Sequence, residues 1–156
     1  MASTTTNVRV GTSVILRNGK GEILIGKRKG SHGAGTWAFP GGHLEMGEAI
    51  FTCAERETLE ETNLHVKAVK VVGLTNDVFD AESKHYITIY VECTLKDADA
   101  QPETAEPDKC EGWHWKSWET IKGWAEHHDD TAIAWADDKC FLPILNLVKE
   151  NPQLKL

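Results

Sequence analysis

The apolar positions change period along this chain, and each change marks an element. Arg9 to Arg17, "RVGTSVILR", is dense in aliphatic and β-branched residues and stops at Asn18-Gly19-Lys20-Gly21, a tight-turn signal. Glu22 to Lys27, "EILIGK", reads as the returning strand of a hairpin. Gly30 to Gly35, "GSHGAG", reads as a flexible loop, and a short run from Thr36 to Phe39 is stopped by Pro40-Gly41-Gly42. From Glu48 to about Thr62 there is no Gly or Pro, and the stretch reads as a helix. It opens on an acid beside the positive end of the helix dipole and closes near Asn63, a residue that tolerates a left-handed cap.

Val66 to Asp77 and Lys84 to Thr94, "KHYITIYVECT", predict two more strands, the second alternating well. Lys96 to Lys109 is polar, acidic and carries two prolines, so it reads as a solvated loop. Cys110 to Lys116, "CEGWHWK", predicts a last strand, and Cys140 to Lys149 a closing helix after a turn of irregular chain. Strands with two well-separated helices predict a single α/β layered domain with a mixed sheet over residues 8–150, after a flexible 1–7 and before a tail at 151–156.

Composition narrows the function. With 156 residues, 40% hydrophobic and 26% charged, the chain suits one soluble domain, and no run reaches membrane-spanning length. The expectation is a cytoplasmic protein with no membrane partner. A net charge of −7 argues against nucleic-acid polymers, which attract basic proteins, so a polyanionic small molecule must meet local cations. The four cysteines, Cys53, Cys93, Cys110 and Cys140, form no C-x-x-C pair and read as reduced, mostly buried thiols.

The chemistry concentrates in the predicted helix. "RETLEETNL" sets Glu57, Glu60 and Glu61 at i, i+3 and i+4, on one face, where like charges repel by a few tenths of a kcal/mol per pair. Either water screens them or a cation holds them. The stripe Ile50, Ala54, Glu57, Glu61 begins apolar and ends anionic, which places these carboxylates in a cleft at the edge of the core rather than on a solvated face. Convergent carboxylates beside a Gly-Gly turn with free carbonyls are hard ligands suited to Mg²⁺ or Mn²⁺, and such a site accepts phosphate oxygens.

Gly42 to Leu64, "GHLEMGEAIFTCAERETLEETNL", resembles the Nudix box, with Thr58 where an aliphatic residue is usual and Asn63 where the box has glycine. "ILIGKRKGSHGAGTWAFPGGHLEMGE", "KHYITI" and "EPDKCEGWHWKSWE" extend the similarity to MutT-like eukaryotic nucleotide pyrophosphatases, over roughly Val8 to Ile121 and more loosely Phe141 to Val148. The resemblance implies an α/β/α sandwich with a central mixed sheet, and a homodimer. It implies Glu57 and Glu61 as principal metal ligands, Glu60 assisting, and the Gly42 carbonyl completing the shell. Arg56 would join loop to helix by pairing with an acid such as Glu48. The reaction would be hydrolysis of a nucleoside triphosphate, 8-oxo-dGTP among the candidates, by a metal-activated water that one of these glutamates or a downstream acid deprotonates.

Lys27, Arg28 and His43 would meet phosphate oxygens, and Phe39, Thr88 and Phe141 would line the leaving-group pocket. Leu142 stands where this branch carries an aromatic, which favours a smaller base or an apolar chain and keeps open another diphosphate: an isoprenyl diphosphate, ADP-ribose or a dinucleotide. A nucleotide sensor without catalysis is the third reading. "GWAEHHDDTAIAWADDK", Gly123 to Lys139, departs from the family, and His127-His128-Asp129-Asp130 reads as a polar loop before it reads as a metal site. Trp113, Trp115 and Trp118 read as core or subunit interface.

Overall fold

A computed structural model of the chain describes residues 7–30 and 32–156. The expected flexible N-terminus falls, for residues 1–6, outside the described residues. The hairpin is present as β1 (Arg9–Arg17) and β2 (Ile23–Arg28). Asn18 builds its turn: Oδ1 accepts the amides of Lys20 and Glu22, both at 3.0 Å. Two short strands follow, β3 (Trp37–Ala38) and β4 (Gly41–His43). The expected stop at Pro40-Gly41-Gly42 ends β3 at Ala38, but beyond Pro40 the chain pairs again: Gly41, Gly42 and His43 lie opposite Ser13, Thr12 and Gly11 of β1.

The helix predicted from Glu48 begins later, as α1 (Ile50–Thr62), with Ala49 at its N-cap. Glu48 therefore lies before the first turn, where Arg56 rather than the helix dipole holds its carboxylate. Asn63 takes the left-handed conformation, φ 57°, and its amide donates to the Leu59 carbonyl. Thr58 is fully buried and returns its hydroxyl proton to the Ala54 carbonyl at 2.8 Å, so a polar atom in the core is satisfied locally.

β5 (Val66–Phe79) and β6 (Lys84–Leu95) are longer than predicted, and two bulges bend β5. β7 (Cys110–Lys116) matches its expected span. What read as irregular chain contains α2 (Trp118–Glu126), capped where Ser117 Oγ accepts the Thr120 amide at 3.1 Å, and a 3₁₀ turn at Ile133–Trp135. α3 (Leu142–Glu150) closes the domain.

The seven strands form one mixed sheet ordered β3-β2-β1-β6-β5, with β4 on β1 and β7 on β2. β1 and β6 run parallel; the other pairs are antiparallel. One face, with Val14, Leu16, Leu24 and Val91, packs on Ala54 of α1. The other, with Ile15, Ile23, Ile25 and Tyr90, packs on Ile121 and Trp124 of α2 and Ile144 and Leu147 of α3. The result is the expected α/β/α sandwich. β1 meets β2 only at Arg17↔Ile23. Beyond that rung the strands part, and Gly11, Ser13, Gly26 and Ala38 along the split floor a cavity.

No helix among the described residues is long and apolar enough to cross a membrane. All four cysteines are free, three of them buried.

Candidate active site

The parted strands and the last two turns of α1 enclose a cavity of about 750 Å³. Helical spacing delivers Glu57 and Glu61 to its wall one turn apart, and leaves Glu60 at the rim: the Glu57 side chain is 15% exposed and that of Glu60 52%. Gly42 lies directly under Glu57, and a Cβ there would collide with the carboxylate. Glycine at this position is therefore a condition of the acid's placement.

Arg56 organises the loop before the helix. Its Nε donates to Glu48 Oε2 at 2.6 Å, while Nη2 donates to Glu48 Oε1 at 3.0 Å and to the His43 carbonyl at 3.1 Å. Nη1 reaches Glu57 Oε1 at 2.9 Å and Glu60 at 3.3 Å. One planar fork thus ties β4, the loop and α1 together. The hydrogen bond from Arg56 holds the Glu48 carboxyl near pKa 2, well below the usual carboxylate range.

Burial works the opposite way deeper in. Glu57 is raised by poor hydration, against the lowering effect of Arg56. Glu61 is pushed up to about 8, first by burial and then by the Glu57 charge, with the Gly41 amide opposing. Part of the Glu61 surface opens on the cavity, but protein atoms crowd its carboxyl, and among the described residues no cation lies within ion-pair distance of it. Two crowded acids with hard oxygen donors, beside backbone carbonyls, fit a divalent cation. Among the described residues, however, no three acid, histidine or cysteine side chains are drawn together into a cluster, because Glu57 and Glu60 share Arg56.

Across from the acids the lining turns basic and aromatic. Arg28 donates from Nε to the His32 carbonyl at 3.0 Å and stacks its guanidinium 4.1 Å from the centre of the Phe141 ring. Its pKa is lowered by burial. His43 stacks on Tyr86, and its Nε2 is 3.2 Å from the Tyr86 hydroxyl. Burial lowers the pKa of both His32 and His43, as do Lys84 and, respectively, Arg28 and Arg9. Gly33 permits the Phe141 ring to close this wall: its φ is +68°, and a Cβ would sit 2.6 Å from Phe141 Cε2.

The sequence description of the NUDIX domain matches residues 7–136. The chain belongs to the NUDIX family. That membership carries the enzyme class, a Nudix pyrophosphohydrolase, in a family that uses divalent metals and acts on small nucleotide diphosphate compounds. Solved structures agree on the fold. A MutT NUDIX hydrolase from Burkholderia pseudomallei is 25% identical over 70% of this chain and 83% of its own, with a TM-score of 0.63. The MutT protein of Methanosarcina mazei Go1 is 22% identical over 97% and 100%, with a TM-score of 0.69. A bifunctional NMN adenylyltransferase/ADP ribose pyrophosphatase from Francisella tularensis is 18% identical over 97% of this chain and 42% of its own, with a TM-score of 0.67.

This NUDIX domain brings most of the sequence-picked residues to one cavity: Gly42, Arg56, Glu57, Glu60, Glu61, Arg28, His43, Phe39, Thr88 and Phe141 all line it. Lys27 and Leu142 do not. Lys27 directs its ammonium over Trp37, 5.9 Å from the ring centre, and Leu142 begins α3 while Phe141, Pro143 and Ile144 face the space. The structure adds His32, Phe79, Tyr86 and Trp113, and from the loop after β6 it adds Glu106, Asp108 and Lys109. That loop read as simply solvated. In fact the amides of Glu103 and Ala105 bond the Thr62 and Glu61 carbonyls, which brings its acids over the end of α1. Trp113 also reaches α1, donating from Nε1 to the Glu61 carbonyl at 3.1 Å. The signal for Glu106 was present in "EPDKCEGW", but no local period points an acid in a loop at a helix forty-five residues earlier.

Proposed function

We propose that this NUDIX domain hydrolyses a (deoxy)nucleoside triphosphate, oxidised purines such as 8-oxo-dGTP among the candidates, to the monophosphate and pyrophosphate with Mg²⁺, or Mn²⁺ in its place. The observation that carries the reading is the pair Glu57 and Glu61 on the wall of a cavity whose other side is basic. Glu57 and Glu61 would hold the cation, with Glu60 at the rim and the Gly42 carbonyl as further oxygens. When bound, the cation neutralises phosphate charge and polarises the phosphorus centre. The remaining chemistry falls to the chain. Arg28, Lys29 and Lys109 offer donors to phosphate oxygens, and His43 hydrogen-bonds them. A carboxylate, Glu61 or Glu106, takes one proton from the attacking water as its oxygen bonds to the α- or β-phosphorus and the α–β anhydride P–O bond breaks, releasing pyrophosphate or the nucleoside monophosphate as the leaving group. Arg56 fixes the loop against α1, so that Glu57 and the Gly42 carbonyl keep one geometry.

The aromatic wall of Phe39, Phe79 and Phe141 favours a second reading, a diphosphate with an apolar leaving group such as an isoprenyl chain. A sensor without catalysis is disfavoured by the full set of acids. The narrower placement among eukaryotic MutT-like enzymes rests on the motifs around the box. A homodimer finds support in Val69, Val71, Leu74 and Val78, apolar and exposed on β5 at the edge of the sheet.

Phosphate and pyrophosphate release with Mg²⁺, across oxidised and normal nucleoside triphosphates, ADP-ribose, a dinucleotide and geranyl diphosphate, tests the reading. A clear lead for one nucleoside triphosphate, lost in Glu61→Gln, supports it. A lead for geranyl diphosphate selects the second reading, and no turnover of any compound sinks both.

A further inference from the structure

Behind the Thr88 wall of the cavity lies a carboxylate that hydrolysis does not use. Asp77 has no exposed surface. Its Oδ2 accepts the Thr88 hydroxyl at 2.5 Å and the Thr75 hydroxyl at 3.0 Å, and its Oδ1 accepts Asn146 Nδ2 at 2.8 Å. Among the described residues it has no cationic partner within ion-pair distance. Three neutral donors surround it, and a carboxylate can only accept. Tyr90 cannot join as a donor, because its hydroxyl proton goes to the Pro143 carbonyl at 2.6 Å.

This arrangement fixes a polarity. A threonine hydroxyl has one proton, and Asp77 takes it from Thr88. Thr88 also lines the cavity, and with its proton committed to Asp77 the Oγ1 can meet a ligand only with lone pairs. We infer that Asp77 is a positioning residue for specificity: it holds Thr88 as a hydrogen-bond acceptor, and thereby selects a leaving group that brings an N–H or O–H donor to that wall. The inference rests on the cavity's use as the leaving-group pocket. It separates the two readings of that pocket, since a nucleobase can supply such a donor and an isoprenyl chain cannot. An apolar chain there would cover Thr88 lone pairs without satisfying them.

Asp77→Asn reverses the polarity while keeping the shape. Asn146 Nδ2 also reaches the Asn76 carbonyl, at 3.3 Å, which pins that amide as a donor. The new amide must then present its oxygen to Asn146 and its NH₂ to the threonines, and Thr88, now receiving a proton, turns its own toward the cavity.

The test is calorimetric binding in chelator, with inosine monophosphate, whose N1–H donates, and 6-methoxypurine riboside monophosphate, whose base carries no N–H donor. Wild-type protein is expected to prefer the first by at least about tenfold, the order of one hydrogen bond to a buried partner. Asp77→Asn is expected to erase or invert that preference, which neither a methyl clash nor general loosening would do. Thr88→Val, which keeps the branched shape, is expected to lose the preference as well, and it serves if Asp77→Asn fails to fold. No discrimination by wild type, or a ratio that survives either variant, overturns the inference. Turnover is read separately with the triphosphates: discrimination without hydrolysis sinks the proposed reaction alone, and hydrolysis without discrimination sinks this inference alone.

Discussion

Glu61 makes the metal-free protein sensitive to pH in a direction opposite to ordinary acid denaturation. Its folded pKa, about 8, stands above the usual 4.5, so between those values the folded state binds a proton that the unfolded state releases. Stability then falls as pH rises through this window, with a slope approaching about 1.4 kcal/mol per pH unit, and is level below 4.5 and above 8. Over the whole interval a fully enclosed group would lose roughly 5 kcal/mol. Part of the Glu61 surface opens on the cavity, and solvent screening there brings the expected figure to about 2–4 kcal/mol, or on the order of 10 °C in melting temperature for a domain of this size. Glu61→Gln removes the titration and leaves a neutral side chain beside the Glu57 charge at every pH. Unfolding by urea in chelator, from pH 5 to pH 9, is therefore expected to show the variant gaining on wild type steadily up to pH 8 and holding its lead beyond. Mg²⁺ should restore wild type more at pH 8 than at pH 6, because binding must displace the proton, and should do little for the variant. Parallel curves for the two proteins across the whole range would refute the burial argument for Glu61.

Three further perturbations probe the frame around that acid. Gly42→Ala places a methyl where the Glu57 carboxylate rests, so the Mg²⁺ concentration for half-maximal activity is expected to rise at least tenfold while the melting temperature moves by only a few degrees. Arg56→Lys keeps the charge but cannot reach Glu48, the His43 carbonyl and Glu57 together, and turnover is expected to fall at least tenfold in a steady-state assay. Asn63 carries its positive φ at a small cost that glycine lacks and a β-branched residue increases. Chemical denaturation should therefore place Asn63→Gly within about 0.5 kcal/mol of wild type and Asn63→Val roughly 1–2 kcal/mol below it.

The anionic half of the site was legible because its geometry is local. Glu57, Glu60 and Glu61 are related by the helix repeat, Arg56 and Glu48 by one turn and a loop, and Asn63 by the helix end, so residue spacing fixes their mutual placement. At Pro40-Gly41-Gly42 the expected stop ends β3, but β4 was hidden there, because the lack of side chains that signals a turn also admits the close pairing of β4 on β1. Helix α2 was hidden as well. Ser117 followed by Trp118, Ile121 and Trp124 is a cap and an apolar stripe at helical spacing, but Gly123 and the polar run after it obscured the period. Of the adjacent pairs Lys27-Arg28 and Phe141-Leu142, only Arg28 and Phe141 face the cavity, because successive side chains at strand β2 and at the entry to α3 point different ways.

The two ends of the cavity differ in how they are built, and that difference bears on what can vary. The acids, Arg56 and Gly42 fall within residues 7–136, and one contiguous stretch supplies them. Phe141, Pro143 and Ile144 come from beyond residue 136, where the NUDIX match has ended. They are held in place by contacts distant in sequence: the Phe141 amide to the Trp37 carbonyl at 2.9 Å, the Tyr90 hydroxyl to the Pro143 carbonyl, and Asn146 to Asp77. Under the proposed function, a substitution near Glu57 is expected to disturb cation binding and hydrolysis at once, since Arg56 couples Glu48, Glu57, Glu60 and the His43 carbonyl. A change at the entry of α3 or in the Asp77 network is expected to reshape the proposed leaving-group wall and leave the acids on α1 undisturbed, because no hydrogen bond from that network reaches them among the described residues. On the same proposed function, chemistry and selectivity are therefore expected to separate: changes on α1 should alter turnover of every substrate alike, whereas changes in the Asp77 network or at Phe141, Pro143 and Ile144 should alter the ranking of leaving groups.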